Sequence, residues 1–113
     1  MTIEDYFSTG PPHERPIFDA VMTHLAEVGP VVVEPVSVGI FLKRARTFAE
    51  LRPMQRWVAL SFSLPRLVRH RLIVRKPIAY GGAHYHVANV ARPDDLDDEL
   101  FDFLTEAYQR CPE

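Results

Sequence analysis

Two groups of residues in this chain have types and spacings that could do chemistry. The first is a basic series, Lys43, Arg44, Arg46, Arg52 and Arg56, continued by Arg66, Arg69, Arg71, Arg75 and Lys76. Guanidinium groups hold phosphates and carboxylates through paired hydrogen bonds, and nearby rings (Phe41, Phe48, Trp57, Tyr80, Tyr85) offer stacking surfaces. The second is His84-Tyr85-His86. Side chains alternate along a strand, so these two imidazoles share a face. Such a pair can line a polar pocket, share a metal, or divide acid and base roles. The expected ligand-contacting set is therefore Lys43, Arg46, Arg52, His84 and His86.

Each group also has a plainer explanation. Arginines and lysines commonly sit on solvated outer faces, and two same-face histidines are commonly structural. Nothing in the spacing of His70 or of the carboxylates selects a third ligand, so neither a metal nor a cofactor is assigned. The acidic run Asp94–Glu99 lacks the glycine-centred spacing of a calcium loop and fits a helix N-terminus, where negative charge is favoured. There is no nucleophile elbow, Walker loop, dinucleotide fingerprint, KH loop, RNP aromatic motif or zinc finger. Nucleic acid thus enters only as a charge argument, and the balance leans away from an enzyme. The leading expectation is a binding module for a phosphorylated or other anionic ligand, a small molecule or a polyanion. A small metal-dependent or histidine-based hydrolase and a protein-interaction or homodimerising module are the alternatives.

The charge layout favours the first of these. Residues 37–92 carry eleven basic side chains against one acid, Glu50. Residues 1–36 carry one basic side chain, Arg15, against six acids, and residues 93–113 carry one, Arg110, against eight. A positive middle between negative ends bears on partners and steering rather than on fold. The lone cysteine, Cys111, excludes an internal disulfide and reads as a bystander in a fraying tail. The opening MTIEDYF is acidic rather than leader-like, and no apolar run is long enough to span a bilayer. The expected setting is the cytoplasm, with no membrane partner.

These residues need a scaffold, and 113 residues suit one domain spanning 1–113. Thr2-Ile-Glu-Asp5 fits a capping box opening a short helix to Phe7. Ile17, Val21, Leu25 and Val28 recur at helical spacing, predicting a helix from about 12 to 28. Gly29-Pro30 ends it, with the glycine as a left-handed cap. Strands are predicted at 31–36 (an edge, because of Pro35), 38–43, 47–52, 56–64, 72–74 and 83–90. The strand at 56–64 carries Val58, Leu60, Phe62 and Leu64 on one face, and Gly81-Gly82 forms a hairpin turn. Leu96, Leu100, Phe103, Leu104 and Ala107 mark a final helix, with Asp94 as N-cap and Asp97 at N3. The resulting class is α+β: a mainly antiparallel sheet of five to six strands with helices from both chain ends packed on it.

Three stretches carry a resemblance: PHERPIFDAVMTHLAEVGPVVVEPVSVGIFLKR, RTFAELRPMQRWVALSFSL and PDDLDDELFDFLTEAY. They resemble an uncharacterised bacterial small-domain family, found alone or as a C-terminal module in predicted transport or restriction-related proteins. The resemblance covers most of the chain, including Phe41-Leu-Lys-Arg44 and Thr47-Phe-Ala-Glu-Leu-Arg-Pro53. It bears on the fold and implies no activity.

Overall fold

Val58–Leu64 (β4) shows why the middle of this chain makes a sheet. Val58, Leu60, Phe62 and Leu64 alternate with Ala59, Ser61 and Ser63, and the first four are fully or almost fully buried. That pattern suits a pleated surface with one dry face. A computed structural model of the protein describes residues 1–111. It places β4 within a six-stranded antiparallel sheet whose other members are Val32–Val36 (β1), Gly39–Lys43 (β2), Thr47–Pro53 (β3), Ile78–Tyr80 (β5) and Ala83–Val90 (β6). The spatial order is β1-β2-β3-β4-β6-β5. Up to β4 it is a meander; residues 65–77 then carry the chain past β6 to the far edge.

Register assigns each residue to a face. Ile40 pairs with Leu51, Leu51 with Leu60 and Leu60 with Ala88, a continuous apolar row on the buried side. On the other side Phe41, Glu50, Ser61 and Val87 form the matching row, and all four are half-buried. The helices are Ile3–Phe7 (α1), Glu14–Ala26 (α2) and Asp98–Arg110 (α3). α3 packs on β3 and β4, with Phe103 stacked 5.7 Å from Phe62. α2 adds Ile17, Val21 and Leu25 to the same core and meets α3 where His24 stacks on Phe101 and lies 2.7 Å from Thr105 Oγ1. The fold is α+β, as expected. No helix among the described residues is long and apolar enough to cross a membrane.

Four local features differ from expectation, each for a physical reason. Residues 72–74 form no strand, because their backbone is engaged elsewhere. Leu72 N–H donates to His70 Nδ1, Ile73 N–H donates to the His70 carbonyl, and the Leu72 carbonyl accepts from Asn89 N–H. The sixth strand instead lies just before the Gly81-Gly82 turn, whose two positive φ angles (56° and 79°) pair Tyr80 with Ala83. The last helix is capped by Asp97, whose Oδ1 accepts from Leu100 N–H at 2.9 Å. Asp94 lies instead in a preceding 3-10 turn, and the extended backbone of Leu96 separates the two. Cys111 does not fray: it is buried, and its thiol donates to the Arg46 carbonyl at 3.2 Å.

Gly29 is the fourth. It does not adopt a left-handed conformation. Its role is to leave space, because a Cβ at this position would run into the Tyr108 hydroxyl. That hydroxyl donates to the Pro30 carbonyl at 2.9 Å and ties α3 to the loop after α2. Gly29→Ala should therefore destabilise the protein by about 1–3 kcal/mol through overpacking. Tyr108→Phe alone should cost about 1 kcal/mol for the lost hydrogen bond. Both changes act on one contact, so urea denaturation of the double variant should show less than the sum of the two losses. Simple additivity would place the constraint on Gly29 elsewhere.

Candidate functional site

The expected basic face is dispersed by its neighbours. Lys43, on β2, places Nζ 3.1 Å from Glu34 Oε2 on β1. Arg52, on β3, sits 3.3 Å from Glu50 two residues earlier on the same face. Arg44 turns away to the end of α3. Its Nη1 donates to the carbonyls of Tyr108 and Cys111, both at 2.9 Å, and its guanidinium lies 4.2 Å from the Tyr108 ring centroid. A residue that reads as a phosphate ligand is thus a helix C-cap, where a cation offsets the negative end of the dipole.

The histidines share a face, as strand alternation requires, but it is the face turned to the core. His86 is completely buried and lies nearly parallel to Phe62, with 5.5 Å between ring centroids. Val68 N–H donates to its Nε2 at 3.1 Å, which leaves the proton of the neutral ring on Nδ1. Among the described residues Nδ1 makes no well-formed hydrogen bond, with only the His84 backbone near enough to interact. Burial holds the ring's pKa below the usual histidine value. His86 therefore anchors the 65–77 connector and presents no nitrogen to a ligand; His84 is half-buried. The His70–Asp97 pair (2.9 Å) resembles a catalytic dyad, yet His70 Nδ1 accepts from Leu72 N–H, so both ring nitrogens are committed. Among the described residues no three His, Cys, Asp or Glu side chains gather to hold a metal ion.

Of the five expected residues only Arg46 lines a cleft of note. This cleft, of about 250 Å³, lies at one end of the sheet among Arg46, Thr47, Ser63, Tyr80, Tyr85 and Arg110. Each element delivers its residue for a local reason. Arg46 closes the β2–β3 turn that Arg44 clamps to α3. The β2–β3 register slips after Leu42, leaving Phe48 as an extra residue of a bulge. Phe48 is buried edge-to-face against Tyr108, and Thr47 stays exposed beside the cleft. Ser63 pairs across the strands with Tyr85, and the glycine turn places Tyr80 on the same side. Arg110 comes from the last turn of α3.

Arg46 and Arg110 are both exposed, and neither is paired with a carboxylate among the described residues. Among the described residues no carboxylate and no imidazole lines this cleft. Its chemistry is two guanidinium forks, hydroxyls and two phenol rings: groups that bind and orient an oxyanion. Arg110 escaped the sequence reading because it sits alone in an acidic segment, and only the end point of α3 brings it beside Arg46.

A family model described as Domain of unknown function (DUF5655) matches residues 3–110. The chain belongs to that family. No curated protein and no solved structure matches it. The DUF5655 match takes in all six strands, the three helices and every cleft residue from Arg46 to Arg110.

A second buried ionisable pair, also missed in the sequence, joins α1 to α2. The Tyr6 hydroxyl donates to Glu14 Oε2 at 2.9 Å, and burial raises the pKa of both groups. It is a structural pair within the DUF5655 fold, remote from the Arg46 cleft.

His86 yields a pH dependence with a definite sign. Its folded pKa lies below the unfolded value of about 6.5. The unfolded chain therefore takes up a proton first, and the stability present above about pH 6.5 is lost as pH falls toward the folded pKa. Chemical denaturation across this window should show that loss, and His86→Gln, which keeps an acceptor for Val68 N–H, should have a shallower slope. Equal slopes would mean that another group carries the effect.

Proposed function

We propose that this DUF5655 domain is a binding module for a small phosphorylated or carboxylated molecule, held in the cleft between Arg46 and Arg110. One observation carries the reading: two exposed arginines, one from the middle of the sequence and one 64 residues later at the end of α3, line one cleft without carboxylate partners among the described residues. The other cations of the expected face support it by contrast, since Lys43 and Arg52 lie beside glutamates and Arg44 caps a helix. Guanidinium forks match an oxyanion in two bonds each, and Thr47 and Ser63 can donate further hydrogen bonds. Two guanidinium groups and two hydroxyls form a set suited to recognising an oxyanion. Phosphorylated small molecules of the cytoplasm are the ligands this chemistry favours.

The test is a titration of the protein with inorganic phosphate, followed by backbone amide NMR. The expected result is a set of shifts confined to Arg46, Thr47, Ser63 and Arg110, weakening as salt rises because exposed charges are screened within about 8–10 Å. Arg46→Ala should weaken binding and leave stability within about 0.5 kcal/mol, as for an exposed side chain. Shifts scattered over the surface, or none at low salt, would remove the cleft from consideration.

A further inference from the structure

The cleft does not end at its arginines. It continues into a second, shallower groove of about 110 Å³ that shares Thr47, Phe48, Ser63 and Tyr85 with it and extends to Glu50 and Ser61. Two compartments of different chemistry therefore abut across one ring. The first is cationic; the second is bounded by an acid and a serine, with Tyr85 as their common wall. Tyr85 is 42% exposed although it sits on a paired strand, flanked in register by Ser63 and Ile78. The small neighbours Ser63 and Ala83 leave one side of it open.

Resting on the oxyanion reading of the cleft, we infer that the ligand is a nucleoside monophosphate. Its phosphate lies between Arg46 and Arg110, and its base lies along Tyr85 in the second groove. Charge selects the phosphate: a monoester carries about −1.5 to −2 at neutral pH, which two arginines match and a single carboxylate does not. Shape selects a flat ring, because an aromatic wall with small side chains beside it favours stacking over a bulky aliphatic group. Glu50 selects a ring or sugar with hydrogen-bond donors. Its carboxylate lines the groove and lies 3.3 Å from Arg52 through Oε1, so it can accept from a base amino group or a ribose hydroxyl. Together the two compartments fall at the small end of the roughly 300–1,000 Å³ range of ligand sites, the scale of one nucleotide. The same glutamate argues against a longer strand: the next phosphate along the sheet would meet Glu50.

Calorimetric titration with AMP, ribose 5-phosphate, phenyl phosphate and an oligoadenylate lacking a terminal phosphate tests this. AMP should bind at least about five-fold tighter than ribose 5-phosphate, the low end of what stacking of one base provides. It should also exceed phenyl phosphate, which has a ring but no donors for Glu50. Tyr85→Leu should bring the AMP to ribose 5-phosphate ratio toward one. Arg46→Ala should weaken both ligands and keep the ratio. Equal affinity for AMP and ribose 5-phosphate, or for AMP and phenyl phosphate, would overturn the nucleotide while leaving the oxyanion site standing. Tighter binding of oligoadenylate than of AMP would overturn the free nucleotide in favour of a strand. If none of the phosphates binds, the proposed function itself fails.

Discussion

Tyr108 is the point on which the two ends of this structure are joined. It sits in the last turn of α3, and its ring meets Phe48 edge-to-face while the Arg44 guanidinium lies over it. Its hydroxyl reaches past Gly29 to the Pro30 carbonyl, and its own carbonyl accepts from Arg44. One side chain thus ties the last helix to the loop after α2, to the bulged strand β3 and to the β2–β3 turn. The bulge at Phe48 and the missing side chain at Gly29 are what make room for it. Edge-to-face packing and one buried hydrogen bond each contribute about 1 kcal/mol. Their larger effect is positional: they fix where α3 ends, and so where Arg110 stands relative to Arg46.

The basic middle of the chain is distributed by the same geometry. Its charge is not a uniform positive surface, because β-sheet register sets Lys43 and Arg52 beside particular acidic neighbours. β1 brings Glu34 to Lys43, and β3 carries its own Glu50 beside Arg52. Arg66 reaches Glu106 on α3 at 2.8 Å. Exposed pairs of this kind contribute little to stability, but they remove cations from the pool available to a ligand. At the cleft, Arg46 and Arg110 add a local positive excess.

Much of the scaffold was legible in the amino-acid sequence. Val58, Leu60, Phe62 and Leu64 declare a half-buried strand by alternation alone, and Ile17, Val21 and Leu25 declare a helix by their spacing. Gly81-Gly82 declares a hairpin turn because both residues take positive φ. These signals are local, and local physics decides them. Residues 72–74 misled because Leu-Ile-Val has the composition of a strand, whereas their hydrogen bonds go to His70 and Asn89, which local sequence cannot reveal. Asp94 and Asp97 compete as caps on equal local terms, and the contact between Asp97 and His70 lies 27 residues away. The site was less legible than the fold. The shared face of His84 and His86 followed from alternation, but which face would be dry depended on where α3 packs. Arg44 and Arg46 are near neighbours of identical type, yet one caps a helix and the other borders a cleft.

The contacts that complete the cleft are also among the most distant along the chain. Strands β1 to β4 pair with immediate neighbours, so each hairpin closes over a few residues. Arg44 meets Tyr108 across 64 positions, and Tyr108 meets Pro30 across 78. Closing loops of that span costs more chain entropy than closing a hairpin, and the contacts that reward it come only once both partners are in place. The meander can therefore exist in time before the clamp does. The converse holds for opening: peeling the last turn of α3 breaks the Arg44 and Cys111 contacts and displaces Arg110, while every strand pairing stays intact. Competence to hold a ligand is thus a later and more fragile acquisition of this chain than its architecture.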